Sequence, residues 1–391
     1  MHLLVDHGDP YHVNTGDAAM LRVLVERALS AGCRVSVLTA AAERASRFLP
    51  NDDRVAFMSC GGRNQFLFHA VLAGRSIPGL PDGLAGPARA IAAEHRKLSC
   101  PPLRQLGERV NTTGFSLPAM QQWLELVSTV DAVGFAGGGY LCESFGGAAA
   151  LTLATAQAAR IFGKPAAWFS QGLGPIDSAQ LREIALECLS HATSISCRHP
   201  LTLSPELLPS GPSATFSGDD SLSLGWTSNA LRHVEADSIG IALRTCNSIG
   251  DVDENFITLL AEEIADTHSL GLLHFVSKVA MPADLIEPAA MFAEAARCKV
   301  MLASTYHPAL WCAAAGGKVI AFAPSEYYRR KFASIESMFP GSVVFSSRQC
   351  LEADVHACLA KPHQGQRSQE IRTWSDRSRA EFTRWVASLA G

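Results

Sequence analysis

Four polar or glycine-rich stretches follow apolar runs in this chain, and each gathers residue types able to hold or activate a polar ligand. The first, Asn14-Thr15-Gly16-Asp17, follows "HLLVD". Gly16 permits close backbone approach, and free N–H groups at a helix start attract an anion or a hydrogen-bonding sugar. Asn14 as a turn residue and Asp17 as a helix cap account for the same stretch structurally. The second, Gly137-Gly138-Gly139-Tyr140, offers exposed amides to a phosphate or carboxylate, or else lets a helix pack closely on a strand. It is not the G-x-G-x-x-G pattern and no acidic residue follows in the expected place, which disfavours NAD. In the third, Ser170-Gln171-Gly172-Leu173-Gly174-Pro175, an amide side chain stands between glycines, although Gly and Pro also mark ordinary turns. The fourth is Ser304-Thr305-Tyr306-His307, after the apolar "VMLA". An imidazole at a strand tip can donate or accept a proton near neutral pH; it can also cap a helix. Two arginines, Arg198 and Arg244, end the runs "SISCR" and "SIGIALR". Arginine there suits bidentate binding of carboxylate or phosphate across a cleft, and a solvated surface charge is the alternative.

Such residues need elements to position them, and the chain supplies strand, turn and helix in alternation. "HLLVD", the helix "AAMLRVLVERALSAG" and the strand "RVSVLT" form a βαβ unit, which implies a parallel sheet. The same rhythm recurs through "DAVGFA", "KPAAWFS" and "SISCR", and again from "SIGIALR" to "SVVFSS". The fold class expected is α/β, with two Rossmann-like domains facing across a cleft. The first spans 1–215 with an irregular insertion at about 60–115 that is a candidate for lining an acceptor pocket; the second spans 216–365. Pro205 to Leu224 reads as the way out of the first domain. An amphipathic helix over 366–391 either packs back on the first domain or pairs with another chain. Open parallel sheets bind ligands beyond the carboxyl ends of their strands, where all four stretches fall.

Composition removes several function classes. With 391 residues, 48% of them hydrophobic, the chain can bury two cores. A net charge of −4 with no basic run argues against nucleic acid. No apolar run is long and uncharged enough for a membrane span, and the N-terminus has no basic region ahead of an apolar segment, so a cytoplasmic protein is expected. The 11 cysteines are scattered singly without C-x-x-C, as reduced and mostly buried thiols would be, and no zinc spacing occurs, so no metal is expected.

Taken in order, the stretches resemble the polysaccharide pyruvyl transferase family. The carriers are Asn14 to Asp17, Gly137 to Leu141, Gln171 to Pro175, Ile195 to Arg198, Gly240 to Arg244 and His307 to Gly316. The resemblance runs from about residue 10 to 335 and implies a GT-B-like fold and transfer of the pyruvyl unit of phosphoenolpyruvate, as donor substrate rather than cofactor, to hydroxyls of a sugar or glycan. It makes His307 the general acid/base and Asp17 a weaker candidate for deprotonating an acceptor hydroxyl. Asn14, Gly16, Gly138, Gly139, Gln171, Gly172, Arg198 and Arg244 become donor- or acceptor-binding residues. Two departures stand out. The family's strand-tip Arg is Thr305 here, and its Tyr-Asp-x-Lys turn falls on Pro324 to Tyr327. Arg329, Arg330 and Lys331 follow closely and are candidates to replace the lost charge if the loop is re-routed. The alternatives are a GT-B-like transferase with a nucleotide-linked donor, though its acidic ribose motif is missing, and a non-catalytic binding protein that keeps the fold. A lipid-linked acceptor at a membrane surface and an oligomer are both left open.

Overall fold

The computed structural model describes residues 1–72, 77–95, 116–207, 214–227, 235–243, 253–275, 287–363 and 367–389. The apolar run at the N-terminus forms β1 (His2–Asp6), and Asn14 caps α1 (Thr15–Ser30) by accepting from Gly16 N at 3.0 Å and Asp17 N at 3.3 Å. There follow β2 (Arg34–Thr39), α2 (Ala42–Phe48) and β3 (Val55–Ser59). After α3 (Gly61–Phe66), α4 (Asp82–His95) and α5 (Leu117–Thr129) come β4 (Ala132–Phe135) and β5 (Gly138–Leu141). Then α6 (Gly146–Ile161), β6 (Ala166–Leu173), α7 (Ala179–Ser190), β7 (Ser194–Cys197) and β8 (Thr215–Phe216) complete an eight-stranded sheet. Its strand order is β3-β2-β1-β4-β6-β7-β8, all parallel, with β5 taking the place beside β6 that β4 leaves. Both faces are covered, which is why these strands read as continuous apolar runs rather than alternating ones.

Two of the glycine-rich stretches are strand rather than turn. Gly138 and Gly139 open β5, and Ser170 to Leu173 form the second half of β6. The register between these strands shifts from Gly138↔Gln171 to Leu141↔Leu173, and glycine fits such an irregularity. Within the 60–115 insertion, residues 73–76 and 96–115 lie outside the described residues. The described part forms α3, a π-helical turn and α4, which pack on α5 and α6. It backs the sheet and contributes nothing to the lining of the cleft described below.

The second sheet, order β10-β9-β11-β12-β13, is also parallel. Its elements are α8 (Leu222–Thr227), β9 (Ser238–Ala242), α9 (Glu254–His268), β10 (Gly271–His274), α10 (Pro288–Ala296), β11 (Cys298–Ala303) and α11 (Tyr306–Ala315). β12 (Lys318–Ala321), α12 (Glu326–Met338), β13 (Val343–Phe345) and α13 (Leu351–Leu359) follow. Every residue of α11 is buried, as expected for a helix apolar on all sides, and Gly316 ends it at φ +99°. The two sheets share core: Ala19 and Val23 of α1 pack with Met291 and Phe292 of α10.

Within the stretch read as the way out of the first domain, the part from 217 to 224 is buried. Asp219, Asp220 and Ser221 are all buried, and Arg27 of α1 pairs with Asp220 at 2.7 Å. Over this segment lies α14 (Ser368–Ser388), whose Ser375 meets Ser223 at 2.9 Å and whose Ser378 hydrogen-bonds Asp220. Farther along, Phe382 and Trp385 pack on Phe169 of β6, and Trp385 Nε1 donates to Thr193 Oγ1 at 2.9 Å. The nine described cysteines are free thiols, eight of them buried. Among the described residues no helix is long and apolar enough to cross a membrane.

Candidate active site

A cleft of about 1010 Å³, counting the part open to solvent, lies between the carboxyl ends of the two sheets. The loop after β1 and the start of α1 form one wall, Arg198 beyond β7 the floor, and the β11–α11 turn with α12 the other wall. Parallel strands deliver these residues to one edge, the position at which open α/β sheets bind ligands.

His307 sits in the first turn of α11 and is 7% exposed. Its ring rests directly on Gly16: a Cβ added there would stand 1.8 Å from Nδ1, so only glycine fits. Tyr306 and Trp311 flank the imidazole at ring distances of 5.2 Å and 5.8 Å. Burial, helped by Arg198 and then Lys331, holds the imidazole well below its ordinary proton affinity, so it is neutral. Its Nε2 lies 3.7 Å from Asp219 Oδ2. Arg198 is 1% exposed, donates from Nε to Ser170 O at 3.1 Å, pairs with Asp219 Oδ2 at 3.0 Å and lies 5.1 Å from the centre of the Tyr306 ring. A buried arginine that keeps its charge this way has the chemistry to hold an anion, and here it already faces the Asp219 carboxylate.

Asp17 faces them from the first turn of α1. Burial, reinforced by the neighbouring Asp9 and opposed by Arg198 and Lys331, pushes its carboxyl up to about 7. The pair His307 and Asp17 therefore present a neutral base and a carboxyl that still carries protons near neutral pH. Lys331 completes the set from α12. Its ammonium lies 4.3 Å from the Tyr327 ring centre, 5.8 Å from Tyr306 and 5.9 Å from Tyr328. The backbone at Gly139 runs beside it, and a Cβ there would meet Tyr327 Oη at 2.6 Å and Lys331 Nζ at 2.8 Å.

Of the residues singled out from the sequence, Asn14, Gly16, Asp17, Gly139, Arg198 and Thr305 line this cleft with His307 and Lys331. Others do not reach it. Gln171 is fully buried behind the wall, donating to Ala136 O at 2.8 Å and to Tyr140 Oη at 3.1 Å, so it braces Tyr140 rather than touching a ligand. Gly138 packs on the same tyrosine ring. Gly172 and Arg330 line a smaller cavity of about 300 Å³ that shares Arg198 and Lys331 with the cleft. Arg329 is exposed and lines neither cavity, because a helix turns successive residues by about 100° and its phase carries the side chain to the outer face. Arg244 lies outside the described residues. Asn14 is the helix cap, so the Gly16 and Asp17 amides expected to meet an anion are already engaged by its side chain. Thr305 gives its hydroxyl to Ala242 O at 3.0 Å.

Sequence reasoning missed Asp219 and Asp9. Asp219 stood in a Ser/Gly/Asp-rich stretch that reads as a loop, and adjacent acids in such a stretch point to solvent rather than to burial. Among the described residues no three His, Cys, Asp or Glu side chains come together as a metal site.

The sequence matches the polysaccharide pyruvyl transferase family over residues 14–326. No curated protein matches the chain. Solved structures do. The UDP-GlcNAc 2-epimerase from Methanocaldococcus jannaschii superposes with a TM-score of 0.58 at 10% identity, over 99% of this chain and 100% of its own. The UDP-GlcNAc 2-epimerase from Neisseria meningitidis bound to UDP-GlcNAc gives 0.54 at 11% identity, over 100% and 99%. The protein LpCGTa in complex with UDP gives 0.55 at 10% identity, over 100% and 99%. At these identities the likeness is one of fold, and the fold is the GT-B-like pair of Rossmann-like domains across a cleft.

Proposed function

The chain belongs to the polysaccharide pyruvyl transferase family, and on that footing we propose that it transfers the pyruvyl unit of phosphoenolpyruvate to two hydroxyls of a sugar or glycan. The observation that carries this is the convergence of Arg198, Lys331, His307 and Asp17 on one cleft between the domains. A donor with a carboxylate and a phosphate calls for cations, and a buried Arg with a Lys nearby answers it. Lys331 supplies the positive charge that Tyr327 lacks, reaching the cleft from one helical turn later. Transfer also calls for one group that takes a proton and one that gives it.

His307, being neutral, takes the proton of the first acceptor hydroxyl as its oxygen bonds to C2 of the enol. Asp17 delivers its own proton to C3, which becomes the methyl group. His307 keeps the general acid/base role expected from the sequence, while Asp17, there a weaker candidate for the base, acts here as the acid toward C3. The C2–phosphate bond then breaks, and the phosphate leaves with the proton held by His307. The second hydroxyl closes the ketal at C2 and returns a proton to Asp17. Arg198 and Lys331 offset the charge that gathers on the departing phosphate. The test is melting temperature with phosphoenolpyruvate and, separately, with UDP-GlcNAc, since a ligand selective for the folded state raises it by mass action. Stabilisation by phosphoenolpyruvate, lost in Arg198→Ala, supports the reading. Stabilisation by UDP-GlcNAc alone would replace it with a nucleotide-linked donor, and no response to either would favour a non-catalytic binding role.

A further inference from the structure

The two ring nitrogens of His307 occupy different surroundings. Nε2 is buried, has no hydrogen-bond partner among the described residues and faces Asp219 Oδ2 at 3.7 Å. Nδ1 stands over Gly16 at the cleft. Asp219 Oδ2 likewise has no hydrogen-bond partner among the described residues, because the Arg198 N–H beside it at 3.0 Å is directed to Ser170 O. The other carboxylate oxygen is engaged: Oδ1 accepts from Ser221 N at 3.0 Å and Ser221 Oγ at 2.5 Å. Ser221 Oγ in turn accepts from Trp311 Nε1 at 3.0 Å, and the Trp311 ring lies against His307. Carboxylate and imidazole are thus braced by one closed circuit running Asp219, Ser221, Trp311, His307.

A separation of 3.7 Å is beyond hydrogen-bond range, but catalytic contacts in unliganded sites are commonly long and tighten with substrate. A neutral imidazole carries one N–H, and a buried carboxylate opposite Nε2 favours the proton there. We propose that Asp219 is a positioning residue: it holds His307 as the Nε2–H tautomer, leaves Nδ1 as the nitrogen that accepts the acceptor hydroxyl's proton, and stabilises the imidazolium that results. The role rests on the transfer reaction assigned above. The proton moves from hydroxyl oxygen to Nδ1, Nε2 keeps its own, and the carboxylate stays ionised throughout.

The test is a long-range 1H–15N correlation spectrum of protein labelled with 15N in its imidazoles, with His307 assigned by its absence in His307→Gln. The wild type is expected to give the Nε2–H pattern. In Asp219→Asn the Ser221 N–H still demands the carbonyl oxygen, so the amide NH2 takes the position of Oδ2 and donates to Nε2. The ring should then switch to Nδ1–H, and kcat should fall by about 100-fold or more while KM for phosphoenolpyruvate does not rise. An Nδ1–H pattern in the wild type, or Nε2–H retained in Asp219→Asn, overturns the proposal. If Asp219→Asn does not fold, the wild-type spectrum decides alone. A wild type that consumes no phosphoenolpyruvate defeats the donor reading and leaves the tautomer measurement intact.

Discussion

Inside the cleft, a histidine and an aspartate have had their proton affinities moved in opposite directions, and pH should expose both. The His307 imidazole is held below 6.5, so its base form persists as the medium is acidified. The Asp17 carboxyl is raised from 3.8 to about 7, so its acid form is lost as pH rises through 7. We expect kcat/KM to fall above pH 7 and to hold well below pH 6.5. Stability follows the same group. Asp17 has a folded-state pKa above its unfolded one, so its contribution is fully present below about 4 and disappears as pH rises through 7. Asp17→Asn should therefore melt higher relative to wild type at pH 8 than at pH 4, by calorimetry at both. His307→Ala should lower kcat by about 10²–10⁴-fold, and because the ring is buried between Gly16, Tyr306 and Trp311 it should also lower the melting temperature. Gly16→Ala should do harm of another kind, since a methyl 1.8 Å from Nδ1 must displace the ring. It should cost roughly 1–3 kcal/mol in denaturant unfolding as well as activity. His307 and Arg198 were legible because a strand tip followed by a helix start is a strong local signal. Asp219 was not, because three-dimensional burial in a loop leaves no periodicity in the sequence.

Elements decide which of these side chains meet. Strand–helix alternation was readable for most of the chain because buried parallel strands are short apolar runs bounded by turn residues. The reading failed where β6 continued through Ser170-Gln171-Gly172: polar and glycine residues mark turns on average, yet here a neighbouring strand pairs with them. It failed also at α12, where only helical phase separates Lys331 in the cleft from the exposed Arg329. The segment from Ser217 to Leu224 is held by an ion pair, 8% and 0% exposed, between Arg27 and Asp220. Arg27→Met strands that buried carboxylate and should destabilise by about 3–5 kcal/mol in denaturant unfolding. Because Asp219 adjoins it, activity should fall further than the stability loss alone explains.

At the scale of the whole molecule, the two domains are joined by more than a hinge. Ala19 and Val23 lie in a core shared with the second domain, Arg22 of α1 pairs with Glu287, and Tyr327 Oη donates to Gly139 O at 2.9 Å. The last of these ties α12 to the strand beside the cleft. Tyr327→Phe should loosen it by about 1 kcal/mol and raise amide exchange across β5 and the start of α12, measured by hydrogen exchange. The final helix makes the first domain depend on the end of the chain. Trp385 closes over Thr193 from 192 positions away, and Phe382 covers Phe169 of a strand in the middle of the first sheet. On the ribosome that face stays bare while the whole second domain is being made. At roughly 5–20 residues per second the wait is on the order of 10–40 s, long enough for a chaperone to be the first partner this surface meets.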